Sequence, residues 1–330
     1  MAQSSPAKVK AKDITQVAIA VYDLPTVAAN YWNILGIGPW EIYEWESPLV
    51  RDRKYYGKPA WAKERIGYAQ VGAVQLELVQ PVDGPSIYRD FLEEHGEGIH
   101  HLQFQVEDVD GVAEILAKEG FPSMQSAHCG DTGAYSYVNI KPLRAIWELA
   151  REPGKKVAKI TRYPESEEET SPAKVKVKDI AQVALAVHDV PMVAASYWNI
   201  LGIGPWDIYE VKPPTLHDRT YRGKPGDFTY WLALTMAGQV QLELAQPISG
   251  DNVYSDFMVE HGEGLHHVAF TVDDINQTTQ MTNKAGFPTL MGGGFADGGF
   301  AYYDTAGALK VILEAFQVPE TMPPPTTRYP

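Results

Sequence analysis

The sequence predicts an α+β protein of four βαβββ units in two tandem halves, with curved mixed sheets forming cups and helices outside. Three observations predict it. The first is an end-to-end duplication: PAKVKAKDI at 6–14 returns as PAKVKVKDI at 172–180, YWNILGIGPW at 31–40 returns at 197–206, and TRYP at 161–164 returns at 327–330, all at an offset of 166. A fixed offset over the whole length marks repeated structural units. The second is a weaker repeat inside each half, where DITQVAIAV at 13–21 has the same shape as the apolar stretch at 99–106. The third is HGEGIHH at 95–101, returning as HGEGLHH at 261–267, where a Gly-ended turn leads into a strand that opens on two histidines.

The elements follow in order. The strand at 13–21 gives way to Asp23, an N-cap, with Pro25 in the first turn of a helix that runs to about Leu35 before Gly36. Strands are expected at 41–46, 64–71 and 73–80. The second unit opens with the strand at 99–106, then a helix started by Asp108 and Asp110 and stopped near Gly120. Strands at 123–127, 134–140 and 145–150 complete the half. The domains expected are 1–164 and 174–330, joined by a linker at 165–173 with an acidic run, Glu165 to Thr170. Gly292–Gly294 reads as a flexible loop at the rim of the second cup.

Successive strand residues face opposite ways. His101, Gln103 and Gln105 therefore share a face opposite His100, Leu102, Phe104 and Val106. The same parity puts Gln16 in the first strand, Glu77 in the fourth and Glu148 in the eighth on open faces, backed by apolar neighbours. The second half repeats all four as Gln182, Glu243, His267 and Glu314. His100 should point to the packed side or its rim. A buried carboxylate is costly unless it is paired, hydrogen-bonded or bound to metal. One imidazole, one amide and two acids suit a six-coordinate divalent metal, Mn, Co, Fe, Ni or Mg, with Zn less favoured. Two positions would remain for water or a chelating substrate, and the duplication predicts two centres per chain.

Composition sets the outer bounds. At roughly 150 residues per domain, the 330 residues suggest two domains. A net charge of −14 argues against nucleic acid and anionic membrane surfaces. The single cysteine, Cys129, rules out an internal disulfide framework and suits a reducing, cytoplasmic setting. The N-terminal residues lack the apolar core of a signal peptide, and no apolar run is long enough to span a membrane. The expected partner is a small molecule, and a homodimer is compatible with the sequence. No Gly-rich phosphate loop lies between a strand and a helix. His128 beside Cys129 could form a nucleophilic pair, but Gly294 and Phe295 align with them in the other half. His188 and His217 read as surface residues.

With these residues in place, the chain resembles the vicinal-oxygen-chelate superfamily, whose paired βαβββ units form a cup around one metal. The resemblance covers almost the whole chain and looks closest to the methylmalonyl-CoA epimerase and glyoxalase I-like branch. There the first strand carries His or Gln, the fourth Glu or Gln, the fifth a His after a GxHH turn, and the eighth Glu. The matching residues here are Gln16, Glu77, His101 and Glu148, and Gln182, Glu243, His267 and Glu314. Gln16 departs from the epimerase His, and Glu77 from the epimerase Gln. The GIGPW turn is similar to relatives that include isoflavonoid racemases.

The resemblance implies a divalent-metal-dependent epimerase, racemase or isomerase acting through a metal-stabilised enolate. Glu77, Glu148, Glu243 and Glu314 would be the catalytic acids and bases, each also a metal ligand. A glyoxalase-type lyase would share the first step. A ring-cleaving dioxygenase of the same superfamily calls for two histidines and one carboxylate per site, and a binding protein of the bleomycin-sequestering kind would lack the ligands. Trp40, Tyr43, Trp45, Tyr55, Tyr56 and Trp61, with Trp206, Tyr209, Tyr221, Tyr230 and Trp231, offer walls for a hydrophobic or aromatic substrate. Arg53, Lys58, Arg219 and Lys224 lie in matched loops and could meet an anion or stay solvated.

Overall fold

The computed structural model describes residues 4–330. The chain divides into two compact units. One holds Ala11–Lys141 and Ala145–Ala173; the other holds Lys174–Pro330, Pro142–Arg144 and the described part of residues 1–10. Each contains a curled mixed sheet of 11 strands among the described residues, so the α+β expectation holds. Among those residues no helix is long and apolar enough to cross a membrane.

Four adjacent strands form the middle of the first sheet, in the order Val74–Asp83, Gln16–Ala20, Gly98–Gln105 and Ala145–Arg151. The first two run parallel, the middle pair antiparallel, and the last pair parallel. On the outer face Val17, Ile19, Leu76, Leu78, Leu102, Phe104, Trp147 and Leu149 are almost wholly buried. Each large side chain of that kind contributes about 1.5–3 kcal/mol on leaving water. That face is covered by helices: Leu24–Leu35 lies against Val74–Asp83, and Val109–Lys118 against Ala145–Arg151. The second sheet repeats this middle as Val240–Ser249, Gln182–Ala186, Gly264–Thr271 and Ile312–Gln317.

The helix signals act as expected. The Asp23 carboxylate accepts a hydrogen bond from Thr26 N–H, and Gly36 closes the helix in the left-handed region at φ 71°. The GIGPW turn is a packing device. Gly38 has φ 146°, and a Cβ there would lie 2.9 Å from the Trp32 ring, so only glycine fits. Trp40 is fully buried and meets the ring of Tyr31 at 5.6 Å, and Trp206 does the same with Tyr197 at 5.6 Å. These two tryptophans belong to the layer beneath the helices, not to the walls of a site.

Several elements of each half were not expected from periodicity. Helices Ile87–His95 and Val253–His261 end at the HGEG turns. A short hairpin, Val50–Tyr55 with Lys58–Pro59, follows Trp40–Trp45 in sequence but pairs with Ser123–Cys129 near the other end of the sheet. The glycine run also differs from expectation: Gly292–Gly294 lies inside the strand Thr289–Phe295, paired with Gly298–Tyr303. A Cβ at Gly293 would lie 3.1 Å from Leu216 and from the Phe300 ring, so the missing side chains make room for neighbours instead of loosening a loop.

The constant offset hides a compensated length change. Cys129 pairs with Gly133 across a three-residue turn, whereas Phe295 pairs with Gly298 across a two-residue turn. The second half regains the residue after Tyr303, where the short helix Ala306–Leu309 stands in place of the 3-10 turn Lys141–Leu143. Glu148 and Glu314 thus keep matching places beside Gln103 and Ala269.

Candidate metal centres

The four ligand candidates of each half come from the four middle strands. In the first sheet Glu77 and His101 both sit beside Ala18, one on either side. On the next rung Gln16 sits beside Gln103, and Gln103 beside Glu148. Alanine between Glu77 and His101 leaves room for their side chains to converge. They do so: His101 Nε2 is 3.3 Å from Glu77 Oε2 and 3.3 Å from Glu148 Oε2. All three side chains are buried, His101 completely. Gln16 joins them, its Oε1 accepting from Gln103 Nε2 at 3.1 Å while its Nε2 donates to Gln75 Oε1 at 2.6 Å. Gln103 also donates to Glu148 Oε2 at 2.8 Å.

The second sheet brings together Glu243, His267 and Glu314, with one ligand atom from each lying within 4.8 Å of the others. His267 Nε2 is 3.0 Å from Glu314 Oε2. Gln182 Nε2 donates to Glu243 Oε2 at 2.9 Å and to Gln241 Oε1 at 2.7 Å. All eight candidates therefore reach one or the other cluster.

The donor sets fit a divalent cation on two grounds. Ligands bound at about 2.1 Å and at right angles lie about 3 Å apart, close to the observed spacing. In addition, both Nε2 atoms, of His101 and His267, are buried without a well-formed hydrogen bond.

His100 does not point to the packed side as strict alternation requires. His101 pairs with Ala18 and Ile99 with Ile19, so His100 is an extra residue in a β-bulge. A bulge breaks the two-residue parity and re-aims a side chain. His100 Nδ1 lies 2.8 Å from His101 Nδ1, and its ring packs on Tyr88 and Phe91 of the helix Ile87–His95. Burial holds the His100 pKa well below its ordinary value. A neutral neighbour at Nδ1 fixes the ring orientation of His101 and leaves Nε2 aimed at the acids. His266 and His267 repeat the contact at 2.8 Å.

A second feature escaped the sequence reading. Tyr88 donates to the Tyr137 hydroxyl at 2.6 Å, and the Tyr137 ring lies 4.9 Å from that of His101. Tyr254 and Tyr302 repeat the pair at 2.7 Å, and Tyr254 also reaches Glu243 Oε1 at 3.4 Å. The interior above each cluster is lined by apolar and aromatic side chains, Val79, Ile66 and Tyr135 among them in the first unit. It is thus less polar than a solvated cup.

Burial raises the acids. The Glu77 pKa is pushed up to about 7, desolvation outweighing the hydrogen bond to His101. Glu314 is pushed up to about 8 by burial, and Glu243 well above its ordinary value by burial and the Glu314 charge. Burial opposes charge on His101, but the Glu148 and Glu77 carboxylates 3.3 Å from its Nε2 prevail and raise it to about 9. His267 is lowered to about 3 by burial, so it changes stability only below its ordinary pKa of 6.5. A raised carboxyl costs stability as the pH climbs from its ordinary value of 4.5 to its folded pKa, and a raised imidazole loses its stabilising charge as the pH climbs through its folded pKa. Below pH 6.5 the lowered His267 opposes this trend. Metal-free protein should therefore lose thermal stability between pH 6.5 and 9. The His101 shift, from 6.5 to about 9, alone corresponds to roughly 3 kcal/mol. Scanning fluorimetry of chelator-treated protein checks this. A saturating divalent cation should flatten the dependence, and a melting temperature that rises with pH in the metal-free protein contradicts it.

The other candidates lie elsewhere. Cys129 is buried and its thiol is raised to about 12 by burial, whereas His128 is exposed and bridges Asp52 and Asp110. Adjacent residues on a strand face opposite ways, so no nucleophilic pair forms. His188 and His217 are exposed, as are Lys58 and Lys224. Arg53 is buried against Glu64, and Arg219 donates to the Phe228 carbonyl at 2.8 Å. Tyr43 meets Tyr68 and Trp45 meets Tyr135, while Tyr56 and Trp61 are half exposed.

The chain matches the Glyoxalase/Bleomycin resistance protein/Dioxygenase superfamily over residues 15–137 and again over 181–303. It is 28% identical over 91 residues to the uncharacterized protein YqjC of Bacillus subtilis (strain 168), a stretch covering 28% of this chain and 55% of that protein. The match thus spans only about half the length of that relative. Among solved structures, a mutant of 4-hydroxymandelate synthase from Streptomyces coelicolor superposes with a TM-score of 0.61 at 16% identity, covering 94% of this chain and 93% of that one. A xylose isomerase-like TIM barrel/4-hydroxyphenylpyruvate dioxygenase fusion protein gives a TM-score of 0.52 at 15% identity, over 98% of this chain and 52% of that one. Both likenesses are of fold. With the family matched once in each half, over most of the chain, this protein belongs to the Glyoxalase/Bleomycin resistance protein/Dioxygenase superfamily as a tandem, two-domain member.

Proposed function

We propose that the chain is a divalent-metal-dependent isomerase that epimerises or racemises a carbonyl-bearing, hydrophobic or aromatic substrate, with one centre in each domain. We take the repeat boundaries, residues 1–164 and 174–330, as the two domains. The observation that carries this reading is the pairing of two buried carboxylates around a single imidazole, Glu77 and Glu148 about His101, repeated as Glu243 and Glu314 about His267. A cation bound there supplies Lewis-acid polarisation of a carbonyl oxygen, which acidifies the adjacent C–H.

The chain's own groups do the rest. Glu77 and Glu148 reach the centre from non-adjacent strands, so one can take the proton and the other return it. The raised proton affinity of Glu77 suits that exchange, because a general acid–base works best with a pKa near the working pH. Gln103 holds Glu148, and His100 holds His101. The aromatic lining keeps water away from the carbon acid. A glyoxalase-type lyase would share the first proton transfer.

The test is exchange of α-protons with deuterated water, followed by proton NMR on aryl ketones. Exchange should stop on chelation and return when a divalent cation is added. Activity that survives thorough metal removal contradicts the reading. An oxygen-dependent reaction is the second reading, favoured by the fold likeness to the 4-hydroxyphenylpyruvate dioxygenase fusion protein. The donor sets weigh against it, because the usual non-haem iron set has two histidines and one carboxylate. Oxygen uptake with aromatic substrates would reverse the order of the two readings.

A further inference from the structure

We propose that the two centres take different substrates. The first is built for a carbonyl compound that also bears a carboxylate, anchored by Arg53. The second is built for an uncharged, apolar one. This rests on the metal-centre reading above and adds the substrate class of each centre.

The clusters are nearly identical, but the walls around them are not. Register pairs Glu64 with Pro81 and Tyr230 with Pro247, so these two residues hold the same place. By the same rule Tyr68 in the first interior corresponds to Leu234, Gln103 to Ala269, and Gln125 to Met291. At each of these positions the first interior is the more polar.

Arg53 is 6% exposed and its two terminal nitrogens each donate to one oxygen of Glu64. A guanidinium has five N–H groups, and among the described residues Glu64 is the only hydrogen-bond acceptor for Arg53. Three N–H groups therefore remain for a further acceptor. Gln125 stands on the neighbouring strand, fully buried. Its Oε1 accepts from Ile87 N–H at 3.2 Å, and its Nε2 has no partner. An unmet buried donor is costly, and the Gln125 amide nitrogen, on the strand next to the spare N–H groups of Arg53, suits one oxygen-rich group. Gln125 shares a rung with Tyr137, and Tyr137 with Glu148, so the donors line the same interior as the metal cluster. Glu64 keeps the fork in place. In the second domain Arg219 is partly exposed and turned to the Phe228 carbonyl, and its potential partner position holds Tyr230.

The test is calorimetric titration of the full chain, in excess manganese chloride, with 4-oxo-4-phenylbutanoate and with butyrophenone, the same aryl ketone with a methyl group in place of the carboxylate. The acid should bind at one site per chain. Arg53→Met combined with Glu64→Leu should weaken the acid at least tenfold and leave butyrophenone within twofold. Removing both charges together leaves neither buried alone. Arg53→Lys keeps the pair but loses the fork, and gives the same ranking should the double variant not fold. Unchanged acid affinity in these variants, two equivalent acid sites, or no acid binding by the wild type overturns the proposal. Elemental analysis of the same samples separates the two ideas: absence of bound manganese sinks the metal-centre reading, while the titrations alone decide the role of Arg53.

Discussion

Replacing His101 by alanine should halve the divalent metal retained per chain, and replacing His101 and His267 together should abolish it. Each imidazole is the one nitrogen donor of its cluster and is fully buried. Without it the acids face each other across a void, and they protonate instead of holding a cation, since burial already raises Glu77 and Glu314. The measurement is elemental analysis after exhaustive dialysis against the chosen metal at fixed pH. Two equivalents in the wild type, one in either single variant and none in the double variant are expected. Full occupancy in the double variant would remove the metal-centre reading. Because a void alone costs stability, melting curves of the metal-free proteins serve as the baseline.

The second large effect concerns proton transfer. In a chain whose second centre is silenced by Glu314→Gln, the further change Glu148→Gln should slow α-proton exchange by about 10²–10⁴, the usual worth of a general acid–base. Glutamine keeps the shape and can still accept from Gln103, which now donates to Glu148 at 2.8 Å. Exchange measured by NMR at matched metal occupancy isolates the chemistry from binding. Undiminished exchange would assign the base elsewhere.

Much of this was legible in the sequence because strand parity is a strict rule where one face is buried. Gln16, Glu77 and Glu148 were placed by alternation alone, and the alanines beside them marked where side chains could converge. Alternation misled where the backbone breaks it. The bulge at His100 turned an expected packing residue into the partner of His101. The tyrosine pair was missed for a related reason. Tyr137 corresponds to Tyr302, one residue short of the constant offset, because the turn before it is one residue shorter in the second half. The hairpin Val50–Tyr55 and the helix Ile87–His95 carry too few periodic residues to declare themselves. The hairpin's pairing with a distant strand is a tertiary fact that local pattern does not encode. The tryptophans of the GIGPW turns were read as walls of a site, yet a neighbouring glycine with room for no side chain fixes them under the helices.

The compensated turn has a consequence for recombination between the halves. Moving the hairpin turn Gly130–Thr132 into the second domain by itself adds a residue before the Tyr302 strand, while the longer connection after Tyr303 is still in place. The surplus must be absorbed by slippage, and a slip of one position would swing Glu314 to the wrong side of the sheet. A viable chimera has to exchange both connections as a block. The two length differences therefore behave as one unit, tied together by the need to return a single acid to its place.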